Sequence, residues 1–196
     1  MTPDITKEVT GLMVRRILPD APPSNIAKFL PGVLAALSAA GLGGTDFVAM
    51  ALATIAAETA GFVPIPEGQS RYNTQQGGQP FALYDHRPDL GNHGPGMGAK
   101  YKGRGYIQIT GADNYARIGK EIGVDLLNHP DLACDPAIAG KVLAQYLKDH
   151  EPKIRAALVA GDMEAARRAV NGGLHGIIQF TSAMQSAWDI LPDDGT

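Results

Sequence analysis

The middle of this 196-residue chain constrains its fold more than any other segment. Residues 61–105 contain ten glycines and five prolines, and apolar residues do not recur there at a sustained helical spacing. A loop of this length without regular structure of its own is usually functional in a compact domain. On both sides of the segment, apolar residues recur at the three- and four-residue spacing of amphipathic helices. The sequence therefore predicts a mainly α protein with a long Gly/Pro-rich loop region and at most a small β element.

Apolar stripes and helix-end signals predict six helices and one short strand. The helices are expected to start at Thr2-Pro3, to cover residues 25–40, to run from Thr45 to Glu58 and from Asp135 to just before Pro152, to start again at Asp162, and to cover residues 177–191. The strand is expected at residues 106–110, with Ile107 and Ile109 facing the core and Gln108 and Thr110 facing the opposite way.

Composition narrows the function classes. The net charge of −3 argues against a nucleic-acid binder, which usually carries a basic excess. Cys134 is the single cysteine, so no intramolecular disulfide is possible. Residues 1–8 lack the features of a signal peptide, and the most apolar stretch, residues 48–57, is too short to span a bilayer. We therefore expect a monomer that is cytoplasmic as synthesised and does not insert into membranes.

Two acids stand out as a candidate catalytic pair. Glu58 continues the apolar stripe of its predicted helix just before Gly61, whereas Glu67 lies on a loop between Pro66 and Gly68. A half-dry acid and a solvated acid are what acid/base cleavage of a glycosidic bond requires. The alternative is that Glu58 is an ordinary helix-end glutamate and Glu67 a surface charge.

Other chemistries have weaker support in the sequence. The glycines at 94, 96 and 98 follow no strand and precede no helix pattern, which argues against a dinucleotide loop. Asp85, His86 and His93 are candidate zinc ligands of an amidase, although their spacing matches no standard pattern. Cys134 lies in no nucleophile motif. We expect neither a metal nor another cofactor.

Three blocks of sequence resemble family 19 of the glycoside hydrolases, the chitinases and related phage-type endolysins. The blocks are Ala57-Glu58-Thr59-Ala60-Gly61, the run from Tyr101 to Tyr115 (YKGRGYIQITGADNY), and Val170-Asn171-Gly172-Gly173. They look like the family's His-Glu-(Thr/Ser)-Gly-Gly, Gly-Arg-Gly-x-Ile-Gln-Leu-(Ser/Thr) and Ile-Asn-Gly-Gly motifs. The resemblance departs at Ala57, where the family has histidine, and no arginine near the last helix matches the family's C-terminal arginine.

The resemblance implies a lysozyme-like, bilobal helical domain covering residues 1–196. Residues 46–191 would form the family-like catalytic core, and residues 1–45 would add N-terminal helices of unclear role. It implies Glu58 as general acid, Glu67 as general base and Thr110 as a hydroxyl that helps to hold the attacking water. Asp85 and Asp89 are alternative bases. Substrate-binding residues would be Gln108, Asn114, Asn171, Tyr72 and Arg104.

The function implied is an inverting hydrolysis of a β-1,4 bond beside an N-acetylated sugar. The acid is expected to be protonated because its apolar neighbours disfavour the anion. Peptidoglycan is the expected substrate, as for an endolysin that reaches the cell wall after release or delivery by another system. A chitinase, or a glycan-binding module with impaired catalysis, is the alternative.

Overall fold

The computed structural model describes residues 3–59 and 61–195, and helices dominate this part of the chain. The α-helices are α1 Gly11–Ile17, α2 Pro23–Ala39, α3 Thr45–Glu58, α4 Met97–Lys100, α5 Ala112–Ile122, α6 Pro136–Asp149, α7 Glu151–Val159, α8 Met163–Asn171 and α9 Ile177–Ile190. Two very short strands, β1 Ile65–Pro66 and β2 Arg104–Gly105, pair antiparallel, with Ile65 opposite Gly105. Short 3-10 helices cover Ala82–Tyr84, Pro88–Leu90 and Pro130–Cys134.

Helix α3 is the centre of the fold. Every residue from Phe47 to Ile55 is buried, as expected for a helix that is apolar on all sides. Its most extensive packing is against α9, and it also contacts α6 and α2. The indole of Trp188 on α9 donates to Asp46 Oδ1 at 2.9 Å, which ties the two helices together at one end. Glu58 is the last residue of α3, so the core holds its backbone rigidly.

The helices predicted at residues 25–40, 45–58, 135–151 and 177–191, and the helix start predicted at Asp162, are confirmed within one or two residues. The predicted helix start at Thr2-Pro3 is wrong for the described residues, because α1 begins at Gly11 and is capped by Thr10. Asp4 instead accepts hydrogen bonds from Thr6 and from Ser38, on α2. These contacts hold residues 4–9 in turns that bury Ile5 against the core. Thr2 lies outside the described residues.

The predicted strand at residues 106–110 is also wrong. Residues 106–108 form a turn, in which Gln108 has a φ of 53°, and only Ile109 returns to bridge Arg104. The predicted sidedness survives, because Ile107 and Ile109 are buried while Gln108 and Thr110 are partly exposed. Gln108 and Thr110 are therefore the more accessible side chains of this turn, as the alternation indicated.

The long central segment has little regular structure, as predicted. Its longest helix is the four-residue α4, and its β structure is the two-residue pairing between β1 and β2. Among the described helices, none combines the length and apolar character needed to cross a membrane.

Candidate active site

Glu58 lies at the end of α3 against a buried arginine. Its Oε1 accepts a hydrogen bond from Arg167 Nη2 at 2.6 Å, and the side chains are 10% and 0% exposed. Arg167 also donates to the carbonyl oxygen of His175, from Nε at 2.9 Å and from Nη2 at 2.5 Å. The guanidinium thus joins the end of α3, helix α8 and the loop that precedes α9.

This surrounding corrects the expectation that apolar neighbours alone surround Glu58. A buried cation lies in direct contact with the carboxyl group, and such charge-assisted hydrogen bonds are about twice as strong as neutral ones. The charge of Glu58 also acts on Tyr146, on α6. The pKa of Tyr146 is raised mainly by burial, with smaller contributions from the charges of Asp149 and Glu58, while Arg117 acts in the opposite direction.

Glu67 follows β1 directly and is fixed by a local network. Asn73 Nδ2 and the Tyr84 hydroxyl donate to its Oε1 at 2.8 and 3.0 Å, and the Gly103 amide donates to its Oε2 at 3.1 Å. The Glu67 amide donates in return to the Gly103 carbonyl at 2.8 Å. The sequence predicted a solvated loop acid, whereas the structure shows a partly buried carboxyl group with three donors.

Two of these donors are themselves constrained. Asn73 is fully buried, and it also donates to Gly68 O and accepts from the amide of Ser70. Burial and the charge of Glu67 raise the pKa of Tyr84 to about 12. At neutral pH Tyr84 is therefore protonated, and its hydroxyl donates a hydrogen bond to Glu67. The loop thus orients this carboxylate.

The turn at residues 103–110 runs from Glu67 toward α5. Gln108 Nε2 donates to Ile65 O at 2.7 Å and to Gly105 O at 2.9 Å, which fixes the turn on β1. A Cβ placed on Gly103 would lie 2.8 Å from Gln108 Oε1 and 3.1 Å from Glu67 Oε2, so these two oxygens are neighbours. The Thr110 hydroxyl donates to Gln108 O at 3.0 Å.

Further contacts continue from this turn to α5 and α6. Asn114 donates to Thr110 O at 2.9 Å and accepts from Arg117 Nη2 at 3.4 Å. Arg117, on α5, forms an ion pair with Asp149, on α6. The structure thus links Gln108, Thr110 and Asn114 by hydrogen bonds, next to the oxygens of Glu67.

Arg104 does not occupy the position expected of a substrate ligand. It is 5% exposed, and its guanidinium donates to Asp131, to the carbonyls of Lys100 and Lys102, and to the Tyr115 hydroxyl. Arginine here satisfies backbone carbonyls of the Gly-rich segment that no helix or sheet pairs. The structure gives Arg104 a structural role beneath the turn.

Two other predicted ligands lie on the surface. Tyr72 is 71% exposed, with the Arg71 guanidinium 4.8 Å from its ring centroid. Asn171 is the exposed last residue of α8, and Gly172 follows it with a φ of 70°. Both side chains are accessible to a ligand, which leaves their substrate contacts as predictions.

The competing acids and the zinc hypothesis gain no support. Asp89 is paired with Arg87 on the surface, and Asp85 accepts from the Gly98 amide at 2.8 Å. Within residues 3–59 and 61–195, no group of three or more His, Cys, Asp or Glu side chains is placed to hold a metal ion. Cys134 is partly buried, and burial raises the pKa of its thiol, which disfavours the nucleophilic thiolate.

Sequence reasoning missed three residues that hold the acids: Arg167, Asn73 and Tyr84. A signal for Arg167 was present, because it lies four residues after Met163 and three before Val170, on the apolar side of α8. A cation on the apolar side of a helix indicates a buried partner. Asn73 and Tyr84 lie in the irregular loop, where no periodicity identifies them.

Comparisons with known proteins agree with this architecture. The family model for class I chitinases, glycoside hydrolase family 19, matches residues 35–171. A family 19 domain-containing protein of Haemophilus influenzae is 38% identical over 95 residues, which are 48% of this chain and 44% of that protein. Endochitinase A2 of Pisum sativum is 58% identical over 58 residues, or 29% of this chain and 18% of the pea protein. The matches thus span less than half of either relative.

Among solved structures, chitinase C from Streptomyces griseus superposes with a TM-score of 0.63 at 23% identity, covering 99% of this chain and 81% of that one. A bacterial family 19 chitinase superposes with a TM-score of 0.62 at 24% identity, covering 91% of this chain and 94% of the other. These likenesses confirm the predicted mainly α, lysozyme-like fold. Because the family model covers more than half of its length, the chain belongs to glycoside hydrolase family 19.

Proposed function

We propose that this family member hydrolyses β-1,4 glycosidic bonds by inversion, with Glu58 as general acid and Glu67 as general base. The observation that carries the proposal is the contrast between the two carboxyl groups. Glu58 lies at the end of a buried helix against a buried guanidinium, whereas Glu67 is oriented by three donors on a partly open loop. Two carboxyl groups in unlike surroundings are typical of acid/base glycosidases.

In the proposed reaction, Glu58 enters the catalytic step in its protonated form, with Arg167 beside it, and gives the proton to the oxygen of the leaving sugar. Glu67 accepts a proton from a water molecule that attacks the anomeric carbon from the opposite face. Arg167 keeps its position whether or not Glu58 carries the proton, because it also donates twice to the His175 carbonyl. The Thr110 hydroxyl donates to Gln108 O, so its own lone pairs are available to accept from the water.

The test of the mechanism uses charge-removing variants of similar shape. Glu58→Gln and Glu67→Gln should each lower turnover at least a hundredfold while the proteins stay folded. Asp89→Asn is the matched control, since this exposed carboxylate is paired only with Arg87, and it should retain activity. The first product seen by NMR should be the α-anomer. A β-anomer, or full turnover by Glu58→Gln, would show that the assignment is wrong.

For the substrate, we propose peptidoglycan, which an enzyme of this kind would reach after release or delivery, as an endolysin does. Lys153 and Arg168 support this choice, because they line a pocket with Gly172, the residue after Asn171. Peptidoglycan carries carboxylates that these cations could bind, and chitin does not. Chitin is the second candidate, favoured by relatives named as endochitinases. Mass analysis of products from purified murein and from chitin oligomers separates the two. Release from chitin oligomers alone would overturn the choice of peptidoglycan.

A further inference from the structure

A pocket of about 480 Å³ lies beside the end of α8, outside the groups used in the mechanism. Its polar wall is formed by His150 between α6 and α7, Lys153 on α7 and Arg168 on α8. Tyr146 and Gly172 also line the pocket. Two nitrogen-bearing side chains from the start of α7 and one from α8 thus line one cavity.

The charge balance of this pocket is positive. Lys153 is exposed, and no carboxylate of the described residues lies within ion-pair distance of its ammonium group. Arg168 pairs with Glu164 at 2.9 Å, but both side chains are more than half exposed, so water weakens this pairing. The nearest acid in sequence to Lys153, Glu151, is paired with Lys148 and Arg155 instead.

His150 is fixed in the pocket wall. Its ring stacks on Tyr146 with centroids 4.4 Å apart, and its Nδ1 lies 2.8 Å from the Tyr146 carbonyl oxygen. A carbonyl can only accept, so Nδ1 carries the hydrogen and Nε2 is left for other partners. The stacked ring gives the pocket a fixed wall beside the exposed lysine and arginine side chains.

Two features relate the pocket to the proposed glycan site. Gly172 follows Asn171, the predicted substrate ligand at the end of α8. Tyr146 forms part of the pocket lining and lies within electrostatic reach of Glu58. A sugar held by Asn171 would therefore lie beside the lining of this pocket.

We propose that this pocket binds a carboxylate carried by the substrate, and so selects a carboxylated glycan over chitin. The proposal rests on the glycosidase function above. In peptidoglycan, every second sugar bears a lactyl-linked peptide with free carboxylates, whereas chitin is uncharged. Lys153 supplies an unpaired positive charge, and Arg168 becomes available when the ligand displaces Glu164. Guanidinium and ammonium groups are the usual partners of carboxylates in such sites.

Binding is measured in the Glu58→Gln background, so that the pocket is tested independently of turnover. The probes are a disaccharide-tetrapeptide of peptidoglycan, the same compound with its carboxyl groups amidated, and chitin tetrasaccharide. Adding Lys153→Gln should weaken binding of the free-acid probe roughly tenfold and leave the other two probes unchanged. Adding Glu164→Gln should strengthen binding of the free-acid probe, because it releases Arg168. Lys141→Gln, an exposed lysine elsewhere on α6, is the control that should change nothing.

Each outcome decides between the alternatives. An equal loss on all three probes would mean that Lys153 contacts the sugar backbone, and no loss on the free-acid probe would mean that the pocket is not a carboxylate site. Either result overturns the proposal. Failure of the proposed function has a different signature, namely no hydrolysis of murein or chitin by the unaltered protein. In that case the binding comparison still decides whether the pocket takes a carboxylate.

Discussion

Replacing Arg167 with methionine should destabilise this protein severely, because it leaves the Glu58 carboxylate without its buried partner. The Arg167 side chain is completely buried and makes three hydrogen bonds, one to Glu58 and two to the His175 carbonyl. Glu58 is only 10% exposed, so water cannot replace the lost donor. Methionine has a similar length, which keeps cavity formation from dominating the result.

The expected magnitude follows from the burial of the pair. Removing one partner of a buried ion pair typically costs about 3–5 kcal/mol, a large share of the roughly 5–15 kcal/mol that stabilises a native domain. Glu58→Gln should cost less, about 1–2 kcal/mol, because the amide oxygen still accepts from Arg167. In the double variant Arg167→Met/Glu58→Gln no charge is stranded. Its loss should therefore be smaller than the sum of the single losses by about 2 kcal/mol.

Urea denaturation of the four proteins gives this double-mutant cycle. Arg168→Met is the matched control, since it removes the neighbouring arginine from an exposed pair with Glu164 and should cost less than about 1 kcal/mol. Equal destabilisation by Arg167→Met and Arg168→Met, or strictly additive losses in the cycle, would refute the view that Arg167 stabilises the fold through a buried partnership with Glu58.

Three further predictions concern the loop and the helices. Gly103→Ala places a Cβ 3.1 Å from Glu67 Oε2 and should lower turnover at least tenfold. At Gly68 a Cβ meets nothing within 4 Å, so Gly68→Ala should leave turnover nearly unchanged in the same assay. The pKa of Tyr84 lies at about 12, above its ordinary value of 10.0, so the folded state holds a proton that the unfolded state loses. Stability should therefore fall as pH rises from about 10 to 12, and Tyr84→Phe should reduce that fall in alkaline denaturation curves. Gly32→Ala lies on the exposed side of α2, where a Cβ meets nothing within 4 Å, and should raise stability by about 0.5–1 kcal/mol in thermal unfolding. A lower stability would contradict the view that this helix face is open.

The helices were predictable because their burial is periodic. Helices α2, α3, α6, α8 and α9 each bury a stripe or a whole segment that the sequence displays directly. The conformation of the region before α1 was not predictable, because Asp4 accepts a hydrogen bond from Ser38, 34 residues away, and the Ile5 amide donates to Gly43 O. Local helix-start signals cannot reveal partners at that separation.

The prediction of a strand at residues 106–110 failed for the same reason, because a distant contact determines the backbone there. Alternation of apolar and polar residues fits a strand, but Gln108 adopts a φ of 53° while its amide reaches Ile65 O, 43 residues earlier. A left-handed conformation at a non-glycine residue persists only where surrounding contacts hold it. The sequence pattern correctly indicated which side chains are buried and which stay partly exposed, whereas the tertiary contact determined the backbone conformation that carries them.

The two acids differ in how much of their surroundings the sequence could reveal. The partners of Glu67 lie within the loop and the adjoining turn, between 6 and 36 residues away. The arginine that contacts Glu58 lies 109 residues further along the chain, on another helix. Helix α3 fixes the acid through the core, and a single remote cation completes its position, whereas three donors from the loop and the adjoining turn hold the base. Substitutions in the loop should therefore disturb the base first, and substitutions in α8 should disturb the acid together with the stability of the whole fold.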